Sequence, residues 1–139
     1  MVMLRQKEIN LQVLAPSDMT VFADAEMVKI ILRNLINNAI KFTPLGGSIT
    51  IAARVNMNMA EIEVRDSGLG MDDDTISNLF RLDKSVACQG TNGETGAGLG
   101  LILCKDFVTS HRGKIWAKSI PGQGSSLFFT LPLSEITQA

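Results

Sequence analysis

The period of one segment sets terms for the whole chain: between Asp24 and Phe42, Met27, Ile31, Leu35 and Ala39 recur every fourth residue. That spacing lays four apolar side chains along one stripe of a helix, and a second layer must cover the stripe. Asp24 offers a side-chain acceptor for the first free N–H groups, and Pro44-Leu45-Gly46-Gly47 stops the helix. The covering layer is legible as segments of strand period. Glu8-Ile9-Asn10-Leu11-Gln12-Val13-Leu14 alternates apolar and polar residues like a strand with one buried face, and Pro16 marks its exit. Ser48 to Val55 and Ala60 to Asp66 flank Asn56-Met57-Asn58-Met59 as a hairpin, with Ile49, Ile51, Ala53 and Val55 on one face and Ile62 and Val64 inward. Gly113 to Ser119 and Ser125 to Leu131, joined by Pro121-Gly122-Gln123-Gly124, predict a second hairpin.

Two further helices are expected. Asp72-Asp73-Asp74 crowds acidic side chains at the start of a short one, which suits its N-terminal dipole. Ile76, Leu79 and Phe80 form its apolar side, and it ends near Phe80. Gly98 to His111 resumes a helical pattern through Leu99, Ile102, Leu103, Phe107 and Val108, with Gly113 as the stop. Between these helices, Arg81 to Ala97 has no sustained period and carries Gly90, Asn92, Gly93 and Gly96, the mark of a long functional loop. Its stretch from Leu82 to Gly96 has few large apolar residues, so a lid that orders when a ligand binds is expected there. Mixed strands and three main helices on one face predict a two-layer α/β sandwich. At 139 residues and 45% hydrophobic, the chain is expected to form one domain over residues 1–139.

Composition removes several functions. A formal net charge of -1 without a block of like charges lacks the basic footprint of nucleic-acid binding. The longest apolar runs, Ile49 to Val55 and Ser126 to Leu133, fall far short of the roughly 20 residues of a membrane span. Met1-Val2-Met3-Leu4-Arg5 does not read as a signal peptide. Cys88 and Cys104 lack metal-ligand spacing, so reduced thiols and a cytoplasmic setting are expected. His111, at the end of the third helix, is explained by an imidazolium beside the C-terminal carbonyls.

Three motifs carry chemistry. Asn34, Asn38 and Lys41 stand at i, i+4 and i+7 on the first helix, which stacks two amides and an ammonium on one face. An amide oxygen suits Mg²⁺ and an ammonium suits phosphate, although a solvated helix face has the same look. Asp66-Ser67-Gly68-Leu69-Gly70 follows a strand, so the glycines permit a sharp bend with close backbone approach. A buried carboxylate there can accept from an amino group such as that of adenine, where guanine presents a carbonyl; a plain turn is the other reading. Gly96-Ala97-Gly98-Leu99-Gly100-Leu101 opens the third helix, whose unpaired amides and dipole form an anion site. A dinucleotide-binding glycine pattern would follow a strand directly, and a long loop precedes this one.

Taken in order, Asn34-Leu35-Ile36-Asn37-Asn38-Ala39-Ile40-Lys41-Phe42-Thr43, Asp66-Ser67-Gly68-Leu69-Gly70, Leu79-Phe80-Arg81 and Gly96-Ala97-Gly98-Leu99-Gly100-Leu101 resemble the N box, first glycine box, F box and second glycine box of sensor histidine kinases. Gly122-Gln123-Gly124-Ser125 resembles the last glycine box. The resemblance implies the Bergerat fold of the GHKL superfamily and an ATP-binding catalytic domain. By motif match, Asn38 would hold Mg²⁺, Asn34 would support metal and phosphates, and Lys41 would meet phosphate oxygens. Phe42 would lie against adenine, Asp66 would bind its amine, and Arg81 would reach the γ-phosphate. Gly68, Gly70, Gly96, Gly98, Leu99 and Gly100, in the two glycine boxes, would bind the nucleotide. Ser125 would join a water-mediated adenine contact and Lys84 would assist Arg81. Arg112, where many relatives carry a small residue, reads as a surface variation.

The implied partners are ATP, the phosphoacceptor helical hairpin of a parent kinase and a response regulator. This segment alone would be monomeric and unable to phosphorylate itself; the parent would be a homodimer, with or without a membrane anchor. Three other readings are an ATPase module of the gyrase, mismatch-repair or chaperone type, a stand-alone anti-sigma serine kinase, and a nucleotide-sensing module. The ATPases resemble one another in placing a Glu base where this chain has Asn34, and an amide cannot take a proton from water.

Overall fold

A computed structural model describes residues 8–16, 19–80 and 99–133. Helix α1, Ala25–Phe42, starts where the sequence predicts: the Asp24 side chain accepts from the N–H groups of Glu26 (2.9 Å) and Met27 (3.2 Å). These bonds satisfy donors that the first turn leaves without partners. At its far end the Thr43 hydroxyl donates to the Ala39 carbonyl, 2.6 Å away in the interior. Ile31, Leu35 and Ala39 are buried as their period requires, joined by Ile40.

The sheet runs β1 (Asn10–Leu14), β2 (Ser48–Asn56), β3 (Met59–Asp66), β4 (Ile115–Ile120) and β5 (Gly124–Pro132) along the chain, in the spatial order β1-β2-β3-β5-β4. β1 pairs parallel with β2, and every other pairing is antiparallel. Two more helices, α2 (Asp73–Asn78) and α3 (Leu99–Ser110), complete the described elements. α1 and α3 pack on each other and over the middle of the sheet, where Ile49, Val64, Leu127, Phe129 and Leu131 meet Ile31, Leu35, Cys104 and Val108. The opposite face is finished by side chains. Trp116 stacks on Phe128 with ring centroids 5.3 Å apart, and Arg54 pairs with Glu61 and Glu63 at 2.7 Å each.

Several expectations need correction. β1 buries no residue: Leu11, Val13 and Leu14 are all exposed, and Val55 at the far end of β2 is 60% exposed. The helices lie over β3, β4 and β5, so an edge strand beyond them keeps its alternation without a layer to use it. Only Ile9, just ahead of β1, is buried. α3 turns Leu101, Cys104 and Val108 inward and leaves Leu103 exposed, one step round from the predicted stripe. Arg112 lies on the surface, as expected, and also closes the helix. Its φ is +62°, the left-handed region that closes a helix, and Gly113 follows where a Cβ would meet the Thr130 carbonyl oxygen at 1.9 Å.

Candidate functional site

The carbonyl end of α1 and the loop after β3 are built against each other. The Leu69 N–H donates to the Phe42 carbonyl (3.1 Å), and a Cβ on Gly68 would meet that same oxygen at 2.1 Å. Residue 68 is therefore glycine for lack of room, while Gly70 combines φ +74° with an equally close approach to the Ile120 carbonyl. From the other side the Gly122 N–H donates to the Leu69 carbonyl (2.7 Å). The Asp66–Gly70 bend is thus clamped between the end of α1 and the β4–β5 turn.

Asp66 sits at the root of that bend and is 7% exposed. Its Oδ1 accepts from the N–H groups of Gly68 (2.8 Å) and Ser125 (3.3 Å). Among the described residues both hydrogen bonds to this carboxylate end on Oδ1, which leaves Oδ2 for another donor. Burial pushes the carboxyl above the usual carboxylate range, and the two N–H groups offset that only in part. Ser125, its cross-strand partner, is also buried.

Asn34, Asn38, Lys41 and Phe42 lie on the half of α1 that leads into this bend. The two asparagines are half-buried, and Lys41 is buried with its Nζ 4.8 Å from the Phe42 ring centroid. The structure therefore brings Phe42, Asp66, Gly68, Gly70 and Ser125 into one neighbourhood, with the amide face one to two turns back along α1. Leu99 and Gly100 form the first turn of α3. Arg81, Lys84, Gly96, Gly98, Cys88 and the expected lid from Leu82 to Gly96 lie outside the described residues.

Three residues that sequence reasoning left out, or read otherwise, hold this frame. Cys104 is fully buried with its Sγ 3.8 Å from the Ile31 carbonyl oxygen. Burial pushes that thiol up to about 11, so it packs and does not react. His111 places Nδ1 2.8 Å from the Phe107 carbonyl oxygen and accepts the Asp24 N–H at Nε2 (2.9 Å). One contact needs a ring donor and the other an acceptor, so the ring bridges two backbone groups. It ties the end of α3 to the cap of α1. Ser119, opposite Ser125, accepts the Met71 N–H at 2.7 Å. Strand alternation places Ser119 on the helix-facing side, but its partners come from a loop that sequence alone does not place.

Comparison with known proteins meets this geometry. Residues 23–135 match the family described as Histidine kinase-, DNA gyrase B-, and HSP90-like ATPase. The chain is 38% identical over 135 residues to the adaptive-response sensory kinase SasA of Synechococcus elongatus, covering 96% of this chain and 34% of that protein. It thus spans about a third of the curated relatives it first matches. The catalytic domain of histidine kinase ThkA superposes with a TM-score of 0.79 at 26% identity, over 96% of this chain and 85% of that one. Full-length ShkA in complex with AMPPNP gives a TM-score of 0.78 at 27% identity, over 96% of this chain and 27% of that one. With a five-stranded mixed sheet, a clamped Asp-Ser-Gly-Leu-Gly bend and an asparagine-bearing helix beside it, the chain belongs to the histidine kinase-, DNA gyrase B- and HSP90-like ATPases, as a catalytic domain of the histidine-kinase kind.

Proposed function

We propose that residues 1–139 form one domain that binds Mg²⁺·ATP and donates the γ-phosphoryl group to a histidine on a separate dimerisation and phosphoacceptor domain, in two-component signalling. The observation that carries this reading is the buried Asp66 carboxylate, whose Oδ1 is held by two backbone donors while Oδ2 has none among the described residues. A carboxylate withdrawn from water calls for a donor, and the exocyclic amine of adenine supplies one where guanine offers a carbonyl. Phe42 gives the base a ring surface beside it. The AMPPNP bound by ShkA supports an ATP site in the shared fold.

Among the described residues no group of three or more His, Cys, Asp or Glu side chains could hold a metal. That fits Mg²⁺ taken as a nucleotide complex, with Asn38 and Asn34 contributing amide oxygens and phosphates and water supplying the rest. When bound, the ion would offset the charge of the phosphates. Lys41 adds a point charge at the phosphates, and the amides around Gly96, Gly98, Leu99 and Gly100 hold the chain of phosphoryl groups at the helix start. Arg81 meets the γ-phosphate, and Ser125 takes part in seating the base. Asn34 cannot deprotonate water, so the domain positions ATP for an acceptor histidine and does not spend it on hydrolysis. Kinase relatives such as SasA support that assignment over a gyrase-type ATPase. The reading extends to a dimeric parent with a response regulator as partner, acting in the cytoplasm.

The test uses γ-labelled ATP. This chain alone should show neither stable self-labelling nor useful ATP turnover, and adding the parent's histidine-bearing helical hairpin in trans should give slow, acid-labile labelling of the hairpin. Stable label on His111, or brisk phosphate release without the hairpin, would overturn the proposal.

A further inference from the structure

The pocket beside Asp66 is floored by a row across three strands. Asp66 pairs with Ser125 in β3 and β5, and Ser125 pairs with Ser119 in β5 and β4, so the three side chains project to the same face in line. Hydroxyl contacts along this row can be resolved by counting protons. A serine hydroxyl has one proton to give and two lone pairs to offer. Ser119 Oγ lies 2.8 Å from the Gly124 carbonyl oxygen, which can only accept, so the Ser119 proton goes there. Its first lone pair takes the Met71 N–H at 2.7 Å. Ser125 Oγ is 3.0 Å away, and only its own proton remains to make that contact a hydrogen bond. Among the described residues the bonds to the Asp66 carboxylate come from the backbone N–H groups of Gly68 and Ser125, and none comes from the Ser125 hydroxyl.

We propose that Ser119 is a specificity-determining positioning residue: by drawing the Ser125 proton away from the nucleotide, it leaves the floor under the purine with acceptors only. The inference rests on adenine lying at Asp66, as proposed above, and adds a second acceptor to the first. Ser125 oxygen and Asp66 Oδ2 then both favour a donor at ring position six, met directly or through one water, and both oppose a carbonyl there. The turn that carries this arrangement has little freedom to rearrange. Gly124 has φ +99°, and a Cβ on it would meet the Asp66 carbonyl oxygen at 2.2 Å, so backbone and hydroxyl row are fixed together.

ATP and ITP separate this role from a merely structural one, because they differ only in the amine or carbonyl at position six and the adjoining ring proton. Wild-type protein, Ser119→Ala and Ser119→Thr are titrated with each nucleotide and Mg²⁺ by calorimetry. Wild type should prefer ATP. In Ser119→Ala the Ser125 hydroxyl is free to donate, so the ATP-to-ITP affinity ratio should narrow by about three- to tenfold, the factor implied by one neutral hydrogen bond. Ser119→Thr retains the hydroxyl and should restore the wild-type ratio. If both affinities fall in parallel in Ser119→Ala, Ser119 only braces the turn and the inference is wrong; a Thr variant as permissive as Ala overturns it equally. Should Ser119→Ala fail to fold, Ser119→Cys, close in shape but a weak acceptor, should narrow the ratio in the same direction, and an unchanged ratio counts against the inference. Wild type that binds neither nucleotide would instead remove the ATP reading on which it rests.

Discussion

Asp66 joins two demands in one side chain. Burial raises its carboxyl above the ordinary carboxylate range, so the folded protein holds a proton at pH values where the unfolded chain has released it. Stability therefore falls as pH rises from the ordinary value through the raised one, and the loss is complete above it. Asp66→Asn keeps an acceptor for Gly68 and Ser125 and removes the charge. Thermal melts of the nucleotide-free variant should lie above the parent at about pH 8 and converge with it near pH 4, around the usual carboxylate value. The same variant should lose at least about tenfold in ATP affinity, the scale of a charged hydrogen bond. A variant melting below the parent at the higher pH would show that the carboxylate stabilises the fold. Asn38→Ala should weaken Mg²⁺·ATP by about tenfold or more, as losses around bound metals do, and metal-free ATP much less. Equal losses in a calorimetric comparison would assign Asn38 to structure alone. The positions of Asp66 and the two asparagines in the fold were legible because their signals are local, a glycine-rich bend after a strand and a four-residue spacing on a helix. Ser119, Cys104 and the partners of His111 were not, since each acts across elements that only the folded register brings together.

Among the elements, α1 came through sequence reading nearly whole, cap and terminus included, because an N-cap aspartate, a four-residue period and a Pro-Gly stop all point the same way. α3 was found but turned. Its apolar residues are too many to define one stripe, so contact with Ile31 decided which of them went inside. The close of α3 carries a correctable strain. Arg112 occupies the left-handed region without a side-chain reason to do so, and Arg112→Gly should raise stability by about 0.5–1 kcal/mol, the relief of a left-handed non-glycine residue less the added unfolded-state entropy. Denaturant titration checks this, and a variant less stable than the parent would show that Arg112 makes contacts outweighing its backbone cost.

At the scale of the molecule, two layers and two hairpins could be read from periods and turns, whereas the parallel seating of β1 beside β2 could not. A parallel neighbour is reached only by a crossover, and nothing in five alternating residues says which side of which strand they will join. That seating has a mechanical consequence. β1 buries none of its own residues and is fastened by its ladder to β2, by the Asn10 N–H on the Gly47 carbonyl (3.0 Å) and by Ile9 in the core just ahead of it. A pull on the chain before Ile9 therefore loads that apolar pin and, through Asn10, the turn at Gly47, whose own N–H donates to the Pro44 carbonyl (3.0 Å). Thr43 caps α1 one residue beyond Phe42. Force delivered through β1 thus arrives both in the hydrophobic interior, at Ile9, and at the turn that follows α1.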